Sequence, residues 1–192
     1  MVKLNRIYTR TGDAGETGLV SGPRRAKHDA RVVAIGEVDE ANAAIGVARL
    51  HVAEWDAARN AELAAIQNDL FDLGADLATP DEHAQGALRI REERIRWLEE
   101  RIDAMNAHLE PLRSFVLPAG GPAAAHLHFA RAVTRRAERA VSALGDTPGE
   151  WVSPQALSYL NRLSDCLFVM ARLANAGGEV LWRPAGGENG GV

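Results

Sequence analysis

The fold turns on residues 122–144, PAAAHLHFARAVTRRAERAVSAL. On a helix advancing 100° per residue, Phe129, Val133, Ala137, Ala140, Val141 and Leu144 gather on one side as a core face. Arg131, Arg135 and Glu138 fall on the opposite side, with Arg139 beside them. Guanidinium groups repeating at four-residue spacing repel one another unless an anion sits between them. The stripe is therefore either a solvated face that Glu138 partly neutralises, or a polyanion site or subunit contact. Helix geometry alone leaves both open.

The segments around it repeat the helical pattern. Asp29 caps a first long helix running to about Ala53, in which Gly36, Asp39, Ala43 and Gly46 form one stripe of small residues around a carboxylate. A second helix spans about Asp56 to Thr79 with Leu63, Ile66, Leu70, Leu73 and Leu77 inward, and Pro80 stops it. After a polar loop, 81–87, a third helix covers about Leu88 to Leu109 with Ile95, Leu98, Ile102, Met105 and Leu109 inward. RSFVLPAGGP, 113–122, is an extended apolar piece, and Pro122 suits the first turn of the fourth helix. Ser153–Pro154 opens the last helix, which ends near Ala176; Leu160, Leu163, Leu167, Met170 and Ala174 face inward, and Asn161, Asp165 and Arg172 share another face. The expectation is an all-α, five-helix up-and-down bundle, one domain over residues 29–182, with a flexible tail at 183–192.

Residues 1–28 differ from everything after them. IYTRTGDAGETGLVSGPRRAKH has no helical apolar period and reads as an ordered loop, with a short strand expected at Arg6–Thr9. It is not a Walker A loop, which needs a closing Gly-Lys-Ser/Thr. Its glycine-rich backbone can still present N–H groups to phosphates, and Thr9, Thr11 and Thr17 can add hydroxyl donors, with Arg10, Arg24, Arg25 and Lys27 supplying charge. A tight turn accounts for two such glycines equally well.

Composition limits the alternatives. With 192 residues, 46% hydrophobic and only 5% aromatic, the chain has the bias of a helix bundle. A net charge of −4 argues against a nucleic-acid scaffold, while clustered arginines leave room for a small anion. Cys166 is the single cysteine, so no intramolecular disulfide forms and a cytoplasmic setting fits. No apolar run approaches the roughly 18 residues of a membrane span. The six histidines are scattered, His126 and His128 point to different faces, and no zinc, di-iron or Gly-x-Ser-x-Gly motif occurs. An enzyme with this inventory takes its nucleophile from the substrate.

Three stretches resemble one family in order: TRTGDAGETGL (9–19) with Lys27; SFVLPAGG (114–121) followed by HFARAVTRRAERAV (128–141); and NRLSDCLFVMAR (161–172). Together they are similar to the PduO-type ATP:cob(I)alamin adenosyltransferases, over almost the whole chain. PAGG carries one residue more than the shorter PGG form, and loop 80–87 is unmatched.

The resemblance implies a five-helix bundle of the ferritin-like, cobalamin adenosyltransferase type, assembled as a homotrimer with ATP and corrinoid between subunits. It implies transfer of the 5′-deoxyadenosyl group of ATP to cob(I)alamin with release of triphosphate. By motif, Thr9, Arg10, Thr11, Gly12, Thr17, Gly18 and Lys27 would surround the nucleotide, and Arg135, Glu138 and Asn161 would complete its site, with Arg136 and Arg139 nearby. Asp39 and Arg131 resemble the family's inter-subunit salt bridge, and Phe115 its corrinoid-side phenylalanine. Mg²⁺ would be held mainly by the ATP phosphates. A reductase and an adenosylcobalamin-dependent enzyme are the implied partners. The rival is a non-catalytic carrier or sensor that binds ATP and corrinoid.

Overall fold

The computed structural model describes residues 7–175 and 178–185. Five helices make up most of it: α1 (Ala30–Trp55), α2 (Ala57–Leu77), α3 (Glu92–Asn106), α4 (Pro122–Gly145) and α5 (Pro154–Ala174). The α1 helix packs between α2 and α4, and α5 packs between α4 and α3 while also touching α2. Leu63, Ile66, Leu73, Leu98, Leu127, Leu160, Leu163, Leu167 and Met170 are buried together along this bundle, as their three- and four-residue spacing requires. The tail at 186–192 and residues 1–6 lie outside the described residues.

Side-chain caps start α1, α2 and α5. The Asp29 carboxylate accepts the Arg31 N–H at 2.9 Å and starts α1. Asp56 does two jobs in a one-residue connection. Its backbone N–H closes α1 on the Val52 carbonyl at 2.8 Å, and its Oδ1 caps α2 through Ala58 N at 2.8 Å and Arg59 N at 3.1 Å. Ser153 caps α5 by accepting from Ala156 N, with Pro154 in the first turn. At the other end of α5, Asn175 reaches the start of α4, where its Oδ1 accepts from Gly121 N at 3.3 Å. Neighbouring Gly120 has φ +117°, and a Cβ there would lie 2.5 Å from the same oxygen. Only glycine fits that approach.

Four expectations are corrected. The third helix starts at Glu92 and ends at Asn106, inside the expected 88–109. The cause is Asp76, whose carboxylate accepts from Ile90 N at 3.1 Å, Arg89 Nη1 at 2.7 Å and Ser153 Oγ at 2.8 Å. This holds residues 88–91 extended. No strand forms over residues 7–9; the strands are β1 (Glu16–Thr17) and β2 (Arg25–Ala26), an antiparallel pair. Phe129 is exposed at 57%, because the buried arc of α4 runs through Leu127, Ala130, Val133, Ala137, Val141 and Leu144. Phe129 shares instead the azimuth of Arg136, seven residues on. Arg172 keeps the phase of Asn161 and Asp165 but, unlike them, is buried, covered where the chain doubles back: its Nη2 donates to Glu110 O at 2.8 Å and its Nε pairs with Glu179.

Candidate functional site

One groove of about 450 Å³ runs between α4 and α5. Arg135, Glu138 and Arg139 line one wall and Ser158, Asn161 and Arg162 the other. Spacings of three and four residues put each set on one helical stripe. The Asn161 amide donates to Glu138 Oε1 at 2.8 Å, so the carboxylate is oriented across the groove. Arg139 Nη1 donates to the Arg135 carbonyl at 3.0 Å, and Arg162 is held by Glu99 and Asp165 at 3.0 Å each. Arg135 makes no ion pair among the described residues. The groove therefore offers a guanidinium to an anion beside an amide–carboxylate pair suited to hydroxyl and amino groups.

The N-terminal loop is an ordered second element. Arg24 staples it from within, its Nη2 donating to the carbonyls of Thr11 at 2.8 Å and Glu16 at 3.0 Å. The Thr9 and Thr11 hydroxyls bond to each other at 2.9 Å. Arg10 takes φ +62°, an uncommon left-handed conformation for a side-chain-bearing residue. Lys27 Nζ lies against Gly12, 3.3 Å from where a Cβ would be, and Lys27 N–H donates to Gly15 O at 2.8 Å. Thr11, Gly12 and Lys27 are thus brought together, with Thr17 on β1 and Gly18 after it. Among the described residues, no hydrogen bond or ion pair joins this loop to the residues of the α4–α5 groove.

The remaining predicted residues fall elsewhere. Arg136 does not line the groove; it turns to α1 and forms ion pairs with Glu37 and Glu40, which a position one residue past Arg135 dictates. Asp39 is exposed at the rim of an apolar groove between α1 and α2 that includes Phe71 and Gly74. Arg131 is half-buried on α4 and does not meet Asp39 within one chain. Phe115 is 78% exposed on the extended segment before α4. That segment is pinned by the chain after α5: Leu117 N donates to Val180 O at 2.7 Å, and Trp182 N to Phe115 O at 2.8 Å. The Trp182 ring meets Phe115 edge-on at 6.0 Å. Sequence reasoning missed Trp182; its aromatic character after a glycine pair was the available signal.

Burial pushes the Cys166 thiol up to about 12, so it is no nucleophile. Among the described residues, no cluster of three or more His, Cys, Asp or Glu could hold a metal.

The family model for cobalamin adenosyltransferase matches residues 7–174. A corrinoid adenosyltransferase of Mycobacterium tuberculosis is 54% identical over 187 residues, 96% of each chain. One from Mycobacterium leprae is 50% identical over 192 residues, 96% of this chain and 99% of the other. A variant PduO-type ATP:corrinoid adenosyltransferase from Lactobacillus reuteri, solved as a complex with cobalamin and ATP, superposes with a TM-score of 0.87 at 37% identity, over 93% of this chain and 100% of that one.

Proposed function

The chain belongs to the cobalamin adenosyltransferase family, and we infer from that membership that it transfers the 5′-deoxyadenosyl group of ATP to cob(I)alamin. The products are adenosylcobalamin and triphosphate. Cobalt(I) supplies the electron pair, attacks the ribose 5′ carbon and forms the Co–C bond as the C–O bond to triphosphate breaks. No proton moves in that step, so no general base is needed. This agrees with a groove holding cations and an amide–carboxylate pair, and with a buried, protonated Cys166.

The protein then has two tasks, to hold carbon in line with cobalt and to stabilise charge growing on the leaving triphosphate. Arg135, free of ion pairs among the described residues, and Lys27, beside Gly12, are the cations for the second task. Asn161 and Glu138 hold the nucleoside side, and Thr9, Arg10, Thr11, Thr17 and Gly18 flank the phosphates. Mg²⁺ would arrive with ATP and would supply positive charge to the triphosphate beside Arg135 and Lys27. Phe115, exposed on its pinned segment with Trp182 at its edge, gives the corrinoid an apolar surface that keeps a lower axial ligand from cobalt and eases reduction to Co(I).

Within the site, the observation that best supports the assignment is the Arg135 guanidinium, without an ion pair among the described residues, beside the Asn161–Glu138 pair. Because the glycine-rich loop and that groove share no hydrogen bond or ion pair among the described residues of one chain, we place the complete site between subunits of a homotrimer, with Asp39 of one copy meeting Arg131 of the next. A reductase supplies Co(I), and an adenosylcobalamin-dependent enzyme consumes the product. A cytoplasmic setting fits the free Cys166 thiol. The test is a spectral assay of the protein with ATP, Mg²⁺ and chemically reduced cob(I)alamin. Light-sensitive adenosylcobalamin with released triphosphate is expected. Binding of ATP without a cobalt–carbon bond would overturn the reading.

A further inference from the structure

One buried charge cluster plays no part in that mechanism. Glu150 lies in the connection between α4 and α5. Its Oε2 accepts from Arg31 Nε at 2.9 Å and Nη2 at 2.7 Å, and its Oε1 accepts from Arg25. Arg31, at the start of α1, is fully buried and also donates to the carbonyls of Leu77 and Trp151, at 2.6 Å each. Arg25, on β2, reaches the α1 cap Asp29 at 3.3 Å. Burial pushes the Glu150 carboxyl up, but the hydrogen bonds from Arg25 and Arg31 outweigh it and hold the group below its usual value. The carboxylate is ionised at neutral pH.

A buried ion pair is poor evidence of stabilisation, because desolvation offsets most of the attraction. This cluster does something that packing alone would not. It joins the β1–β2 hairpin and the adjoining head of α1 to a piece of chain far away in sequence, the connection of the two helices that carry the groove. The Arg24 contacts lie inside the loop and do not attach it to the bundle. The Arg25 contact with Glu150 does, beside a backbone bond from Val20 N–H to Ala78 O at the end of α2. Two residues beyond Arg25 is Lys27, whose N–H holds Gly15 and whose ammonium lies at Gly12. Fixing Arg25 therefore fixes the side of the loop that carries Gly12 and Lys27. A loop left free would have to be ordered when nucleotide binds, and that entropy cost would weaken binding.

We propose that Glu150 is a positioning residue for the nucleotide: acting through Arg25, it holds the glycine-rich loop against the bundle so that Thr11, Gly12 and Lys27 are in place before ATP arrives. The proposal rests on the ATP reading above. Glu150→Gln strands the buried Arg31, whereas Arg25→Gln keeps the Arg31–Glu150 pair and so decides the matter if the first variant fails to fold. The full chain is followed by amide hydrogen exchange without ligands, and by kinetics with ATP and chemically reduced cob(I)alamin. In Arg25→Gln, amides of residues 9–27 should exchange about tenfold faster while α4 and α5 are unchanged. KM for ATP should rise about tenfold, with kcat and KM for corrinoid within twofold, and Arg25→Lys should recover part of the loss. Unchanged exchange over residues 9–27, or a fall in kcat with KM for ATP unmoved, would overturn the proposal. If the unmodified protein transfers no adenosyl group, the catalytic reading fails by itself, and the exchange and direct ATP-binding measurements still judge Glu150.

Discussion

The Arg131 guanidinium stands 5.9 Å from the centroid of the Phe168 ring, and its Nε is buried without a hydrogen-bond partner among the described residues. Burial, and after it the charge of Arg135, lowers its pKa from the ordinary arginine value. A buried donor left unmade costs about 1–3 kcal/mol. A carboxylate from a second copy would relieve that cost, and Asp39 is the exposed acid on α1 proposed for it.

A double-mutant cycle of Asp39→Asn with Arg131→Lys should therefore show coupling clearly above the ~0–1 kcal/mol of an exposed pair. Light scattering on the same variants should show loss of the assembled mass. Strictly additive effects would mean that the two residues never meet.

Arg135→Ala should lower kcat/KM for ATP on the order of 10²-fold, the size expected when a preorganised cation is taken from a leaving group. Arg135 is exposed, so the unfolding midpoint should stay within ~0.5 kcal/mol of the parent's stability. Steady-state kinetics beside thermal circular dichroism check both; unchanged kinetics would remove Arg135 from the site.

Phe115→Ala should leave stability almost unchanged, because the ring is 78% exposed. Adenosylation starting from Co(II) with a reductant should drop much more than adenosylation of pre-reduced Co(I). Equal losses in the two assays would assign Phe115 to packing against Trp182.

His128 gives a pH dependence. It is buried at 3% exposure with Nδ1 unpartnered among the described residues, beside Phe168 and Arg131. Burial first, and the Arg131 charge second, lowers its pKa from 6.5. In the window below that value the unfolded chain binds the extra proton. Stability therefore rises with pH through the window and is lost as pH falls toward the folded value. Urea titrations from about pH 5 to about pH 7.5 should show this slope in the parent and a flatter one in His128→Gln. Identical slopes would exclude His128 as the source.

Local signals in the sequence carried the helices. Asp29 and Ser153 are caps readable one residue at a time, and the leucine spacings of α2 and α5 mark their buried faces. What was not legible depends on residues far apart in the chain. Residues 88–91 have helical composition, yet Asp76, more than ten residues earlier, takes their hydrogen bonds. A helical wheel groups Phe129 with Val133, but which arc is buried depends on where α1 and α5 stand. Arg172 follows Asn161 and Asp165 in phase and is buried only because residues 108–118 and 178–182 close over it. In the candidate site the motifs located Arg135, Glu138, Asn161 and the loop, while the role of Glu150 required the contacts of Arg25 and Arg31, 125 and 119 residues away.

The pairing of Phe115 with Trp182 also orders events in time. The strand-like segment bearing Phe115 gains its partner from residues 180–182, which leave the ribosome after all five helices have been made. The loop assigned to nucleotide is synthesised first and the wall assigned to corrinoid is completed last. The surface assigned to corrinoid is therefore unfinished until synthesis has passed residue 182, long after the loop assigned to nucleotide has been made.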